Sequence, residues 1–226
     1  MRDIILSGRG PNMLSLELLE TLEQAIEDAK GEPLLVTGAG EAFSSGLDLD
    51  ALASVDGPGL MRLLGAMDRA TRALFHYPAP TVALVNGHAV AGGCLLVQAC
   101  DVRIAIEHQK TRIGMTGVAI GLVYPPFVHE VFRHRLSPAQ AEHVLLSAER
   151  FHLGEALRLG LIDEILPAEA ARPRALSVLE ARGKLPRRSY AATKLTLRSP
   201  PPSPELARRE FEETVLPSWT SALVRG

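Results

Sequence analysis

The chain has little cysteine: two thiols, Cys94 and Cys100, in 226 residues. That excludes a disulfide framework, and both read as reduced, buried small residues. It also has no excess of either charge. Its 24 Lys and Arg against 26 Asp and Glu leave a formal net charge of −2. There is thus no electrostatic case for nucleic acid or an anionic membrane as partner. No apolar run approaches the roughly 20 residues of a membrane span. The opening MRDIILSGRG carries too short a run for a secretory leader. A cytoplasmic location is the expectation. Internal repeats are absent, and only the proline cluster Ser199–Pro204 approaches low complexity. What is present is a 46% hydrophobic content. That suits one globular domain with a substantial core and a small appendage.

Patterning places strands at Asp3–Ser7, Pro33–Thr37, Thr81–Val85 and Asp101–Ile106. Helices are expected over Leu14–Lys30, with Ser15 as cap, and over Leu60–Phe75 and Gly92–Ala99. Two more follow at Pro125–Arg135 and Pro138–Ala148, the second capped by Ser137. LGEALRLGLIDEIL reads as helix, glycine stop and short strand, and Gly38–Gly46 reads as a loop. Alternating strands and helices over residues 1–166, then helices alone over 167–226, imply an α/β core with a helical C-terminal region.

The most informative segment is VNGHAVAGGCLL, Val85–Leu96. An apolar strand runs into Asn86-Gly87, and the pair Gly92-Gly93 opens an apolar helix. Such a junction leaves a backbone N–H bare at a helix N-terminus, directed at developing negative charge. Three other segments accompany it: PNMLSLELLETL from Pro11, AFSSGLDLDAL from Ala42 and GEALRLGLIDEIL from Gly154.

Together, in this order, the four segments resemble the crotonase superfamily, the enoyl-CoA hydratase/isomerase family. The resemblance covers nearly the whole chain. It implies a spiral of ββα units with a C-terminal helical region that helps form trimers, often paired into hexamers. It implies an acyl-CoA thioester as substrate, with coenzyme A as part of that substrate and no separate cofactor or metal. Two backbone N–H groups would hold the thioester oxygen as an enolate forms. By position these belong to Leu47, after Ser45-Gly46, and to Gly92. Ser45, Gly46, His88, Gly93, Leu95 and Gly117 would border the substrate.

The chain departs from the family where protons are moved. The two glutamates of the hydratases fall on Leu95 and Gly117, and the single carboxylate of the isomerases also falls on Gly117. Neither residue transfers protons. Tyr124 is the substitute candidate. MTGVAIGLVY resembles the corresponding stretch of methylmalonyl-CoA decarboxylase, where a tyrosine ends the segment in the active site. That relative carries histidine where this chain has Leu47. Tyr124 acting in catalysis and Tyr124 packing at a helix entrance both stay open, as does a non-catalytic acyl-CoA binder.

Other signals carry less. VTGAG (Val36–Gly40) and YAATK (Tyr190–Lys194) imitate a short-chain dehydrogenase, but the later glycines of a dinucleotide loop are missing. HEVFRH sets His129 and His134 five apart, off one helical face, against a zinc pair. Asp48 follows the first N–H loop and reads as a local cap. Cys94 has no neighbour in sequence to lower its pKa. Lys194 and the C-terminal arginines read as a solvated face, with contact to coenzyme A phosphates as the functional alternative.

Overall fold

A computed structural model describes residues 1–48, 52, 56–199, 205, 209 and 213. The chain opens with β1 (Arg2–Leu6), a kinked turn at Arg9–Asn12 and helix α1 (Leu16–Asp28). Ser15 caps α1, its Oγ accepting from Leu18 N at 3.2 Å. Then β2 (Leu34–Gly38) leads through β3 (Ala42–Ser44) to α2 (Gly57–Phe75). Next, β4 (Thr81–Val85) leads through β5 (His88–Val90) to α3 (Gly92–Ala99). Finally β6 (Val102–Ile106) leads through β7 (Arg112–Gly114) to α4 (Pro126–Arg135). This repeated ββα path is the spiral that the resemblance implied. Helix α5 (Pro138–Ser147), β8 (Phe151–His152), α6 (Leu153–Arg158) and β9 (Glu164–Leu166) follow. Helices α7 (Ala168–Gly183) and α8 (Arg187–Arg198) come last.

The long strands form a parallel sheet ordered β1-β2-β4-β6-β9. The short strands form a second sheet, β3-β5-β7-β8, parallel except for the last pair. Strands β2 (LLVTG) and β4 (TVALV) are buried along their whole length. Covering a parallel sheet on both faces requires such continuous apolar runs. One face meets α1, α2 and α3 through Leu19, Leu22, Ala66, Ala70 and Leu96. The other carries Leu35, Val82, Leu84, Val102 and Ile104 beneath Ala171, Ala175, Val178 and Leu179 of α7.

Two expectations are corrected. Gly38–Gly46 is not all loop, because Ala42–Ser44 pairs with β5 in the second sheet. Lys194 neither lies on a solvated face nor is free for phosphates. Its ammonium is buried, 2.8 Å from Asp101 Oδ1, and also donates to Ala79 O. Arg198 Nη2 meets the same oxygen at 2.6 Å, and Tyr190 OH donates to Oδ2 at 2.8 Å. The Tyr-x-x-x-Lys spacing is therefore one helix face fastened to one carboxylate. The proline cluster after Ser199 and the rest of the expected C-terminal region lie outside the described residues, 205, 209 and 213 apart. Among the described residues no helix is long and apolar enough to cross a membrane.

Candidate active site

Two loops meet at the N-terminus of α3. The first leaves β3 through Ser45 and Gly46. Gly46 has φ +89°, a left-handed backbone that favours glycine. Leu14 N donates to Gly46 O at 2.8 Å, and Leu14 bridges Leu47 as a single parallel pair. Ser44 Oγ donates to Asn12 O at 2.7 Å and accepts from Gly46 N at 3.1 Å. Asn12 Nδ2 in turn donates to Ala42 O at 2.7 Å. These buried bonds fix the direction in which Leu47 presents its backbone.

The second loop is the turn from β5 into α3. Ala91 takes φ 51° and ψ −117°, a conformation that costs a non-glycine residue on the order of 1–3 kcal/mol. It delivers Gly92 as the first helical residue, whose N–H has no intrahelical acceptor. Neither Leu47 N nor Gly92 N has a hydrogen-bond partner among the described residues. The loops touch closely. A Cβ on Gly46 would lie 2.8 Å from Ala91 Cβ and 3.0 Å from Gly92 N. A Cβ on Gly93 would lie 2.3 Å from Ser44 O.

Leu47 and Gly92 both line a cavity of about 240 Å³. Ser45, Leu47, Gly92, Leu95, Gly117 and Tyr124 come together there, so the expected cluster is largely assembled. Gly46 is absent from the lining and packs against Ala91 and Gly92. Gly93 packs on Ser44 rather than lining the cavity, and His88 is absent from the lining. His88 is exposed on β5, its Nδ1 accepting from Arg112 N at 3.1 Å. Motif reading missed the cavity's apolar wall: Leu64 and Met67 from α2 and Phe127 and Val128 from α4. The signal was present as the apolar stripe of each helix.

Among the described residues, the lining holds no Asp, Glu, His, Lys, Arg or Cys. Its polar side chains are Ser45, Thr116 and Tyr124. Asp48 is held by Arg9 at 2.9 Å. Glu130 is held by Arg72 at 2.6 Å, with His76 at 3.6 Å. Neither carboxylate lines the cavity. Cys94 is buried, and burial pushes its thiol up to about 12, so it is inert. His134 stacks edge-on with Phe75 and His129 with Tyr124. Among the described residues no acidic, His or Cys group is arranged to hold a metal ion.

Tyr124 enters the place where a side chain at 117 would stand. Gly117 N donates to Tyr124 Oη at 2.9 Å. A Cβ on Gly117 would fall 2.7 Å from the ring Cε1. Burial raises the Tyr124 phenol above its ordinary value, against the opposing backbone N–H bonds of Gly117 and Val118. At neutral pH it is a neutral phenol, an O–H donor and not a base.

The enoyl-CoA hydratase/isomerase family model matches residues 6–224. The rat mitochondrial enoyl-CoA hydratase domain-containing protein 3 is 33% identical over 87% of this chain and 66% of its own length. An enoyl-CoA hydratase structure from Mycobacterium ulcerans superposes with a TM-score of 0.80 at 30% identity. That match covers 87% of this chain and 86% of the other. Human mitochondrial delta3-delta2-enoyl-CoA isomerase gives 0.82 at 25% identity, over 87% and 79%. With motifs, fold and relatives in agreement, this chain belongs to the enoyl-CoA hydratase/isomerase family of the crotonase superfamily.

Proposed function

We propose that the cavity receives the thioester of an acyl-CoA, its carbonyl oxygen between the N–H groups of Leu47 and Gly92. That Leu47 and Gly92, whose backbone N–H groups have no partner among the described residues, line one apolar cavity carries this reading. Such donors stabilise an oxyanion most where water is excluded, and each is worth about 3 kcal/mol of barrier. Coenzyme A is then part of the substrate. The homotrimer or pair of trimers implied by the resemblance is part of the same proposal.

Among the described residues that line the cavity, none can act as a base to form the enolate. Leu95 and Gly117 accept no proton, and a neutral Tyr124 phenol does not remove one from Cα. Loss of CO₂ needs neither. In a malonyl-type thioester the bond from Cα to the carboxylate breaks and CO₂ departs. The electron pair stays on Cα and the carbonyl oxygen as the enolate. Tyr124 gives its phenolic proton to Cα and recovers one from water. The Ser45 and Thr116 hydroxyls are the groups available to orient the departing carboxylate. The reaction assigned is thus decarboxylation of a malonyl-type acyl-CoA, with Tyr124 as proton donor.

A mass-spectrometric panel tests this, with malonyl-, methylmalonyl- and longer alkylmalonyl-CoA beside crotonyl-CoA and a 3-enoyl-CoA. Loss of CO₂ is expected from the malonyl class, with crotonyl-CoA left unhydrated. Tyr124→Phe should lower kcat by about 10²-fold or more with little change in KM. Efficient hydration of crotonyl-CoA beside untouched malonyl thioesters overturns the assignment. Binding without turnover of any member replaces it with the acyl-CoA binder that the missing carboxylates also favour.

A further inference from the structure

A second cleft, of about 490 Å³, opens at the C-terminal end of α3, among residues of α4, α7 and α8. Its described lining holds four cations, Arg135, Arg182, Lys194 and Arg198, against one carboxylate, Asp101. That carboxylate is fully engaged. Its Oδ1 meets Lys194 and Arg198, and its Oδ2 accepts from Tyr190, Lys194 and the Thr81 N–H. Among the described residues no carboxylate pairs with Arg135 or Arg182. Arg135 Nε donates to Gln98 O at 2.8 Å and Nη2 to Cys100 O, while Nη1 meets no acceptor among the described residues. Burial and the nearby cations Arg198 and Arg103 pull the Arg135 guanidinium down to about 9, the direction expected of a charge that lacks its counter-charge. Ser189 and Thr193, one turn apart on α8, add two exposed hydroxyls to the same cleft.

We infer that this cleft binds the phosphate group of a small molecule, at a site separate from the thioester cavity. Four cations around one engaged carboxylate are matched by a multiply charged anion and by no neutral ligand. Guanidinium forks suit phosphate oxygens, and such charge-assisted bonds are the strong ones. The free donors also stand on three elements: Arg135 on α4, Arg182 on α7, and Ser189 and Thr193 on α8. The oxygens of a tetrahedral phosphate point apart and can meet donors from three sides, whereas the two oxygens of a carboxylate share one plane. The group could belong to coenzyme A or to another phosphorylated metabolite. The fold favours the second. Gly92, which lines the thioester cavity, opens α3, and Arg135 holds the carbonyls at its other end. The eight residues of α3, roughly 12 Å of helix, stand between the two sites.

Inorganic phosphate tests this by titration calorimetry on the full chain, with ionic strength held constant by sodium chloride so that screening alone gives no signal. One phosphate should bind per chain, saturably. Arg135→Gln and Arg182→Gln should each weaken it about tenfold or more, the worth of one charged hydrogen bond. Arg135 also holds the end of α3, so its loss can disturb the fold; Arg182→Gln and Thr193→Val remove donors without touching α3, and thermal unfolding verifies all three variants. Thr193→Val should weaken phosphate a few-fold. Saturating coenzyme A should leave the phosphate isotherm in place. Absence of saturable binding below about 10 mM phosphate overturns the inference. So does an isotherm that Arg182→Gln and Thr193→Val leave unchanged, since the ion then sits elsewhere. An isotherm abolished by coenzyme A also overturns it, because the phosphate held would be the coenzyme's own. The thioester reading stands or falls on other measurements, and none of these outcomes touches it.

Discussion

At residue 117 the missing side chain decides what the site contains. Glycine there leaves both the space and the N–H that hold the Tyr124 phenol, with Oη 2.9 Å from Gly117 N. A methyl group at 117 would meet the ring at 2.7 Å. Something has to move, and the ring is freer than the backbone. Gly117→Ala should therefore reduce turnover toward the level of Tyr124→Phe, and the double variant should be no worse than either single. Such non-additivity is the mark of two residues acting through one contact. Steady-state rates of the three variants measure it; full activity in Gly117→Ala would show that Tyr124 needs no such seat. The glycines Gly46 and Gly92 marked in the sequence the two loops that the structure brings into contact, since glycine allows that close main-chain approach whatever side chains follow. Sequence failed at His88. On a strand, side chains alternate between faces, and there Ala89 is the buried neighbour while His88 is exposed. Closeness in sequence to the Gly pair said nothing about facing.

At the scale of elements, α8 is attached by charge. Asp101, Lys194 and Arg198 have side chains 5%, 7% and 5% exposed. Arg198 also donates to Phe75 O and lies 4.6 Å from the Phe75 ring centre. Removing one member leaves the others buried without a counter-charge. Asp101→Asn should thus cost about 3–5 kcal/mol in urea unfolding; a loss under about 1 kcal/mol would mean that water reaches the cluster. Burial alone would raise the Asp101 carboxyl, but Lys194, Arg198 and Tyr190 outweigh it and hold it below its ordinary value. The contribution is therefore present above the unfolded-state value of about 4. It is lost as pH falls through the lower folded value. The acid limb of the stability curve should be shallower in Asp101→Asn. No local pattern announces this pairing, because Asp101 and Lys194 lie 93 residues apart. The long strands were legible as continuous apolar runs such as LLVTG. The strands β3, β5, β7 and β8 were not, since two or three residues hold no period to read.

Across the whole molecule, the expected division into residues 1–166 and 167–226 conceals a shared core. Helix α7 is the lid on the outer face of the parallel sheet, where Ala171, Ala175, Val178 and Leu179 cover Leu35, Val82, Leu84, Val102 and Ile104. Those strand residues belong to the expected first part, and their covering comes from the second. A chain ending at Leu166 would expose this face to water, at about 1.5–3 kcal/mol for each large side chain uncovered. Several such residues together exceed much of the 5–15 kcal/mol that holds a typical domain. It would also lose Lys194 and Arg198, the two cations paired with Asp101. Residues 1–166 alone should then fail to unfold cooperatively in urea and should bind a hydrophobic dye. The full chain should give a single transition, because both faces of one sheet depend on the same strands. A sharp transition for the fragment, at a midpoint close to that of the full chain, would show the two parts to be separable. The glycine loops that present Leu47 and Gly92 sit on the side of the sheet opposite α7, so the fragment should lose acyl-CoA binding only by losing the fold. The same fragment therefore tests whether the C-terminal helices serve the site through the strands beneath it.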